Sequence, residues 1–405
     1  MQFQSLRRSS SQLFGVSAAL LSTFVNLLDP TALAAQSAKT ATPIKHVIVI
    51  IGENRTFDHV FATYKAKAGE TVDNLLSREI INEDGTPGPN YSRSAQYKAV
   101  DSTIVGNGLY SISPAEKTIY ANIPPVLAGG PSSSSELAPN TAAAKALEPG
   151  FLANGTYRFL TTGATGIPGG QIDTRIPNVN YLPAGVFQLT PGVKYDAYAN
   201  SPVHRFYQMW QQLDCNVDYS TERNPSGCLA DLFPWVEVTV GAGTNGLPQP
   251  AGFNDMTTGE GGTSMEFYNM QRGDAPYLRF LAERYTINDN FHQSVMGGTG
   301  ANHIMFGYAD DIFFSDGKGN AAVPPANQIE NPNPQAGTNN WYTEDGYGIG
   351  GGAGGGSYSA CADATQPGVT AVVDYLQSLT RPMRPNCDPG HYYLLNNYNP
   401  AYNAD

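Results

Sequence analysis

Lys45-His46-Val47-Ile48-Val49-Ile50-Ile51-Gly52-Glu53-Asn54-Arg55-Thr56-Phe57-Asp58-His59 is the stretch from which the fold of this chain is read. Residues 47–51 are five consecutive β-branched side chains without polar alternation, the pattern of a strand buried on both faces of a parallel sheet. Gly52 ends the run, and polar groups follow at once. In an open α/β sheet, ligands gather just outside the carboxyl ends of strands. Glu53 and Asn54 stand at that place and offer a carboxylate and an amide oxygen to a hard divalent cation. The competing reading of the same residues is a loop with a capping Asn and a solvated Glu. A short helix is expected from near Phe57.

Toward the N-terminus, Arg7 and Arg8 precede a mostly apolar stretch over residues 13–28, and Ala32-Leu33-Ala34 has the small-x-small form of a cleavage site. Residues 1–34 therefore read as a cleaved leader and 35–43 as a polar linker, with a secreted or periplasmic destination. The paired arginines invite a twin-arginine reading. Leu6 before them and Ser9-Ser10-Ser11 after them fit it poorly, so an ordinary secretory leader is preferred.

The 405 residues are 41% apolar and 11% aromatic, enough to build a core, and 43 glycines with 29 prolines favour ordered loops on a scaffold over a helix bundle. A formal charge of −12 repels polyanions, so no nucleic-acid partner is expected. A locally positive site would still admit a single phosphate ester. The four cysteines fit an oxidising compartment. Of their possible pairings, Cys215 with Cys228 and Cys361 with Cys387 closes the shorter loops and is the expected one; no C-x-x-C spacing supports zinc.

Downstream, residues 65–200 read as a long insertion with short helices. Residues 201–214 read as a helix that Ser201 caps and Pro202 begins, with His204 in a first turn suited to an anion. Residues 275–285 have helical spacing, with Leu278, Leu281 and Ala282 on one face. Then comes Gly297-Gly298-Thr299-Gly300-Ala301-Asn302-His303, whose glycines permit a tight turn and close approach of a ligand to backbone. A helix over 302–308 would put Thr299 near its N-terminus. Residues 315–360 are a Gly-, Asn- and Pro-rich loop, 369–379 a helix, and 392–395 a strand approaching the site.

Gly52-Glu53-Asn54-Arg55-Thr56-Phe57-Asp58-His59 resembles the opening of the bacterial phosphoesterase family that holds phospholipases C and related acid phosphatases. Gly297-Gly298-Thr299-Gly300-Ala301-Asn302 resembles the nucleophile loop of its phospholipase C branch, with Gly298 and Ala301 where the family often has proline. The resemblance implies an alkaline-phosphatase-like α/β fold: a largely parallel central sheet with helices on both faces and long loop insertions, over residues 44–405. It implies Thr299 as nucleophile, Asn302 as a contact to a phosphate oxygen, and His204 near the phosphate or leaving group. It also implies a divalent metal ion on Glu53, Asn54 and Thr299. His303 is a weaker candidate; His46, Asp58, His59, His292 and the Asp310-Asp311 pair read as structural, solvated or unassigned.

Family members continue past this point with further strands and an acidic, His-containing block that completes the metal site, and no such block follows Asp405, so a chain shortened at its C-terminus or a degenerate relative is expected. The readings carried forward are a secreted metal-dependent phosphoesterase most like phospholipase C, an acid phosphatase on soluble monoesters, and a non-catalytic remnant. The partner implied is a phosphate ester or phospholipid, with transient membrane-surface contact; the sequence leaves the oligomeric state open.

Overall fold

The computed structural model describes residues 41–52, 55–99, 110–126, 171–195, 202–203, 205–240, 261–332 and 358–396, with Asn140, Ala142, Ala143, Ala146 and Ile167 between them. The chain divides into two compact units, Met1–Glu53 and Asn54–Asp405. The expected leader lies outside the described residues, as do the Gly-rich run 350–356 and most of the middle of the insertion.

In the first unit, residues 47–51 form no strand and are exposed, Ile48 to 86%. The buried first strand expected from this run is not formed. β-branched residues favour an extended backbone, but a strand also needs neighbouring N–H and C=O groups to complete its ladder. The described sheets are each two strands wide, and other segments fill them.

The second unit mixes helices with small sheets. Helix α1 (Phe57–Phe61) is capped by Thr56, whose hydroxyl accepts from His59 N–H. Strands β1 (Tyr97–Ala99) and β2 (Lys117–Ile119) pair antiparallel. Strands β3 (Phe187–Gln188) and β4 (Glu266–Phe267) pair in parallel, and the long connection between them passes through two helices. Helices α2 (Phe206–Leu213), α3 (Phe233–Val240), α4 (Pro276–Arg284), α5 (Thr299–Tyr308) and α6 (Val369–Ser378) follow β2 in the chain, with antiparallel β5 (Tyr358–Ser359) and β6 (Tyr393–Leu394).

The main core gathers around α3, where Trp235 and Val236 are fully buried against a shell that includes Ile123, Leu189 and Tyr268. Full burial of each such side chain is worth roughly 1.5–3 kcal/mol, and this cluster holds the β3–β4 pair in place. Lys117 of β2 forms ion pairs with Asp214, at the end of α2, and with Asp231, just before α3. Burial is the main cause that raises the Asp231 carboxyl above its ordinary range. Both disulfides form as expected, Cys215–Cys228 and Cys361–Cys387.

Helices α5 and α6 and strand β6 agree with their expected spans to within a few residues. Helix α2 does not: it starts at Phe206 rather than Pro202, after an extended Arg205. Its first N–H is met from far along the chain, by Asn396 Oδ1 at 2.8 Å, which no local capping pattern reveals. On α4, Ala282 is buried as expected but Leu278 is 38% exposed. That helix packs chiefly through Ala282 against Tyr64, Met270 and Ala275.

Asp58 and His59 on α1 serve the fold. Asp58 Oδ1 accepts from Leu75 N–H at 3.0 Å, and burial pushes its carboxyl up to about 6. His59 lies edge-on to Tyr268 with ring centroids 5.0 Å apart and takes Arg55 as its polar partner. Burial, aided by the Arg55 charge, lowers its pKa to about 3. The folded form thus binds fewer protons at His59 than the unfolded chain between pH 6.5 and 3, and stability falls as pH falls through that window. Asp58 acts oppositely, because its folded pKa is raised. Comparing wild type with His59→Gln by urea unfolding at pH 7 and pH 5 isolates the histidine. Acidification should cost wild type more than the variant, by up to about 2 kcal/mol. A stability difference that does not change with pH would show that His59 titrates normally.

Candidate active site

Thr299 is the first residue of α5, and extended Gly298 precedes it. Gly297 and Gly298 are buried while Thr299 is half-buried. The Thr299 N–H and Oγ1 take no hydrogen-bond partner among the described residues. Asn302, one turn on, closes the loop from within. Its Oδ1 accepts from Val295 N–H at 3.0 Å, and its Nδ2 donates to the carbonyls of Val295 and Gly298 at 2.9 and 3.2 Å. The same amide could contact a phosphate oxygen only by giving up one of these bonds.

The loop rests on the end of β6. Gly298 N–H donates to Leu395 O at 3.2 Å, and Ala301 N–H donates to Asn396 O at 2.9 Å. Position 297 must be glycine, because a Cβ there would lie 1.8 Å from Leu395 O. Beneath the helix, buried Ala301 packs with Tyr358 and Leu394. Leu395 joins a different cluster, with Tyr207 of α2 and Val372 and Tyr375 of α6. The end of β6 therefore lies between α5 and α2, as the expected strand near the site suggested.

Asn396 adds polar links. Its Oδ1 accepts from Phe206 N–H, and its Nδ2 donates to Glu330 Oε1 at 2.5 Å. Asn396, Glu330 and Arg205 are all buried. None of the three was singled out in the sequence; a buried Asn ending an apolar strand was the available signal, and Leu394-Leu395-Asn396 carries it only faintly.

Glu53, Asn54 and His204 lie outside the described residues. Thr299 and Asn302 share one loop, and Asn396 joins that loop to the start of α2, two residues after His204 in sequence. Exposed His303 sets Nδ1 2.9 Å from Thr299 O. His292 is exposed and within 2.8 Å of Asn290 Oδ1. Asp310 and Asp311 accept from the backbone N–H groups that follow them, and burial raises the Asp311 carboxyl to about 6. Among the described residues, no three His, Cys, Asp or Glu side chains gather as a metal site would require.

A threonine hydroxyl without a partner among the described residues, at a helix N-terminus on a glycine-bounded loop, is an arrangement suited to an anionic ester. Residues 177–348, which contain His204 and the whole Thr299 loop, match the model of the phosphoesterase family. The match does not reach Glu53 and Asn54. No curated protein and no solved structure matches the chain.

The loop geometry predicts two stability effects. Asn302→Ala strands Val295 N–H and should cost roughly 2–3 kcal/mol in urea unfolding. Gly297→Ala should destabilise as well, because the loop must move away from Leu395 O. An unchanged midpoint in either variant would mean that the loop is not held as described.

Proposed function

We propose that this chain hydrolyses a phosphoester through Thr299, in the manner of a phospholipase C acting on a phosphodiester. The observation that carries the reading is the Thr299 hydroxyl, without a partner among the described residues, at the N-terminus of α5 and inside the segment that matches the phosphoesterase family. The family match supports hydrolysis of phosphoric esters in general; the diester preference and the nucleophile are this proposal's own.

In this reading Thr299 Oγ1 forms a bond to phosphorus as the bond from phosphorus to the leaving oxygen breaks. The threonine proton passes to water, and the departing alcohol takes one from water, with His204 serving the phosphate or leaving oxygen. Water then attacks the phosphothreonine, the bond from phosphorus to Oγ1 breaks, and the hydroxyl regains its proton. Thr299 N–H and the helix N-terminus favour the charge on the equatorial oxygens. Asn302 keeps the loop in shape for that contact, and its direct bond to phosphate belongs to the same proposal.

Glu53, Asn54 and Thr299 carry hard oxygen donors of the kind that a divalent cation takes. Such an ion would lower the pKa of the Thr299 hydroxyl and polarise the phosphoryl group. The alkaline-phosphatase-like central sheet is part of the proposal, supported by the parallel β3–β4 pair. Secretion is supported by the two disulfides, which fit an extracellular or periplasmic compartment. Transient contact with a lipid surface is supported by Phe306 and Tyr308, 68% and 73% exposed on the same helix as Thr299.

The purified chain should be assayed on an aryl phosphate and on an aryl phosphorylcholine, with added divalent metals and with a chelator. Turnover should favour the diester, stop on chelation, and fall about a thousand-fold or more in Thr299→Ala. Preference for the monoester would favour the acid phosphatase instead. No turnover from folded protein under any metal would sink the catalytic reading for this chain.

A further inference from the structure

Asn396 is 1% exposed and uses its polar groups on separate partners. Its backbone oxygen takes Ala301 N–H from the nucleophile loop, and its Oδ1 takes Phe206 N–H from the start of α2. Its Nδ2 donates to Glu330 Oε1, and Glu330 is itself 1% exposed and anchored through its N–H to Tyr358 O of β5 at 2.9 Å. A backbone N–H can only donate, and the Glu330 carboxylate oxygen accepts, so the amide has one orientation that satisfies both sides. An aspartate there would set a carboxylate against a carboxylate, and a leucine would leave buried groups unpaired.

We propose that Asn396, oriented by Glu330, is the positioning residue that holds the Thr299 loop in register with the N-terminus of α2. The inference rests on the reading of Thr299 as nucleophile and extends it to the contacts that hold its loop against the start of α2. A displacement of about 1 Å between reacting groups can lower turnover about 100-fold without removing any of them.

The test compares wild type, Thr299→Ala, Asn396→Asp, Glu330→Gln and the double variant N396D/E330Q. The double variant reverses the pair: the new amide at position 330 can donate to the new carboxylate at position 396, whose other oxygen still takes Phe206 N–H. Turnover of the two aryl esters and hydrogen exchange at the Phe206 and Ala301 amides are both measured. Asn396→Asp should lower kcat about 100-fold with a much smaller change in KM, and the double variant should recover most of it. Exchange should quicken at both amides in Asn396→Asp and return toward wild type in the double variant. Glu330→Gln alone keeps an acceptor for Asn396 and should lie between.

Unchanged kcat in Asn396→Asp, a folded double variant no better than the single one, or faster exchange at Phe206 alone would each overturn the proposal. If Asn396→Asp does not fold, the double variant decides: folded and active supports the pair, folded and inactive refutes it. Turnover that survives in Thr299→Ala, or is absent from wild type, counts against the nucleophile instead. The exchange data then still decide whether Asn396 couples the two segments.

Discussion

The end of strand β6 is the constraint on which the rest of the site depends. Successive strand residues point to opposite faces, and here Leu394 serves the cluster under α5 while Leu395 serves the cluster between α2 and α6. The backbone carbonyls of Leu395 and Asn396 take N–H groups from the loop and first turn of α5, and the Asn396 side chain takes the first N–H of α2. Helix starts leave donors that must be satisfied somewhere. One strand end meets that need for two helices, so their starts cannot drift apart without exposing buried donors.

Buried charge has a related part in the scaffold. The chain is acidic overall, yet several carboxylates lie inside it. Asp173 is paired with Arg175, and Lys117 is shared by Asp214 and Asp231. Glu266, on β4, has its pKa pushed well up by burial, with the Arg55 charge working against that rise. Removing one partner from such a group typically costs about 3–5 kcal/mol. The two Lys117 pairs fix which segments adjoin, which apolar packing alone would leave more open.

Local pattern made some of this legible. The helix after the Thr299 loop, helix α6, the short strand at 393–394 and both cysteine pairings follow from periodicity, turn residues and loop length. Residues 47–51 misled because a β-branched run states a preference of the backbone, while a buried strand is made by neighbours that a sequence window does not contain. The start of α2 misled for a similar reason: Ser201 and Pro202 form a plausible local cap, but the donor at Phe206 is met by a residue 190 positions away. Thr299 was legible because its glycines are local. Asn396 and Glu330 were not, since their importance lies in a contact across 66 residues.

The two asparagines near the site do different structural work. The Asn302 amide binds Val295, Gly297 and Gly298 and so forms the loop itself. Asn396 ties that loop to the neighbouring helix. Thr299 is left as the residue whose N–H and hydroxyl have no partner among the described residues. Fixed donors favour a charged transition state because they need not reorganise as charge develops. The bonds that shape this loop form during folding, so on the proposed reading the cost of ordering it falls before a substrate arrives.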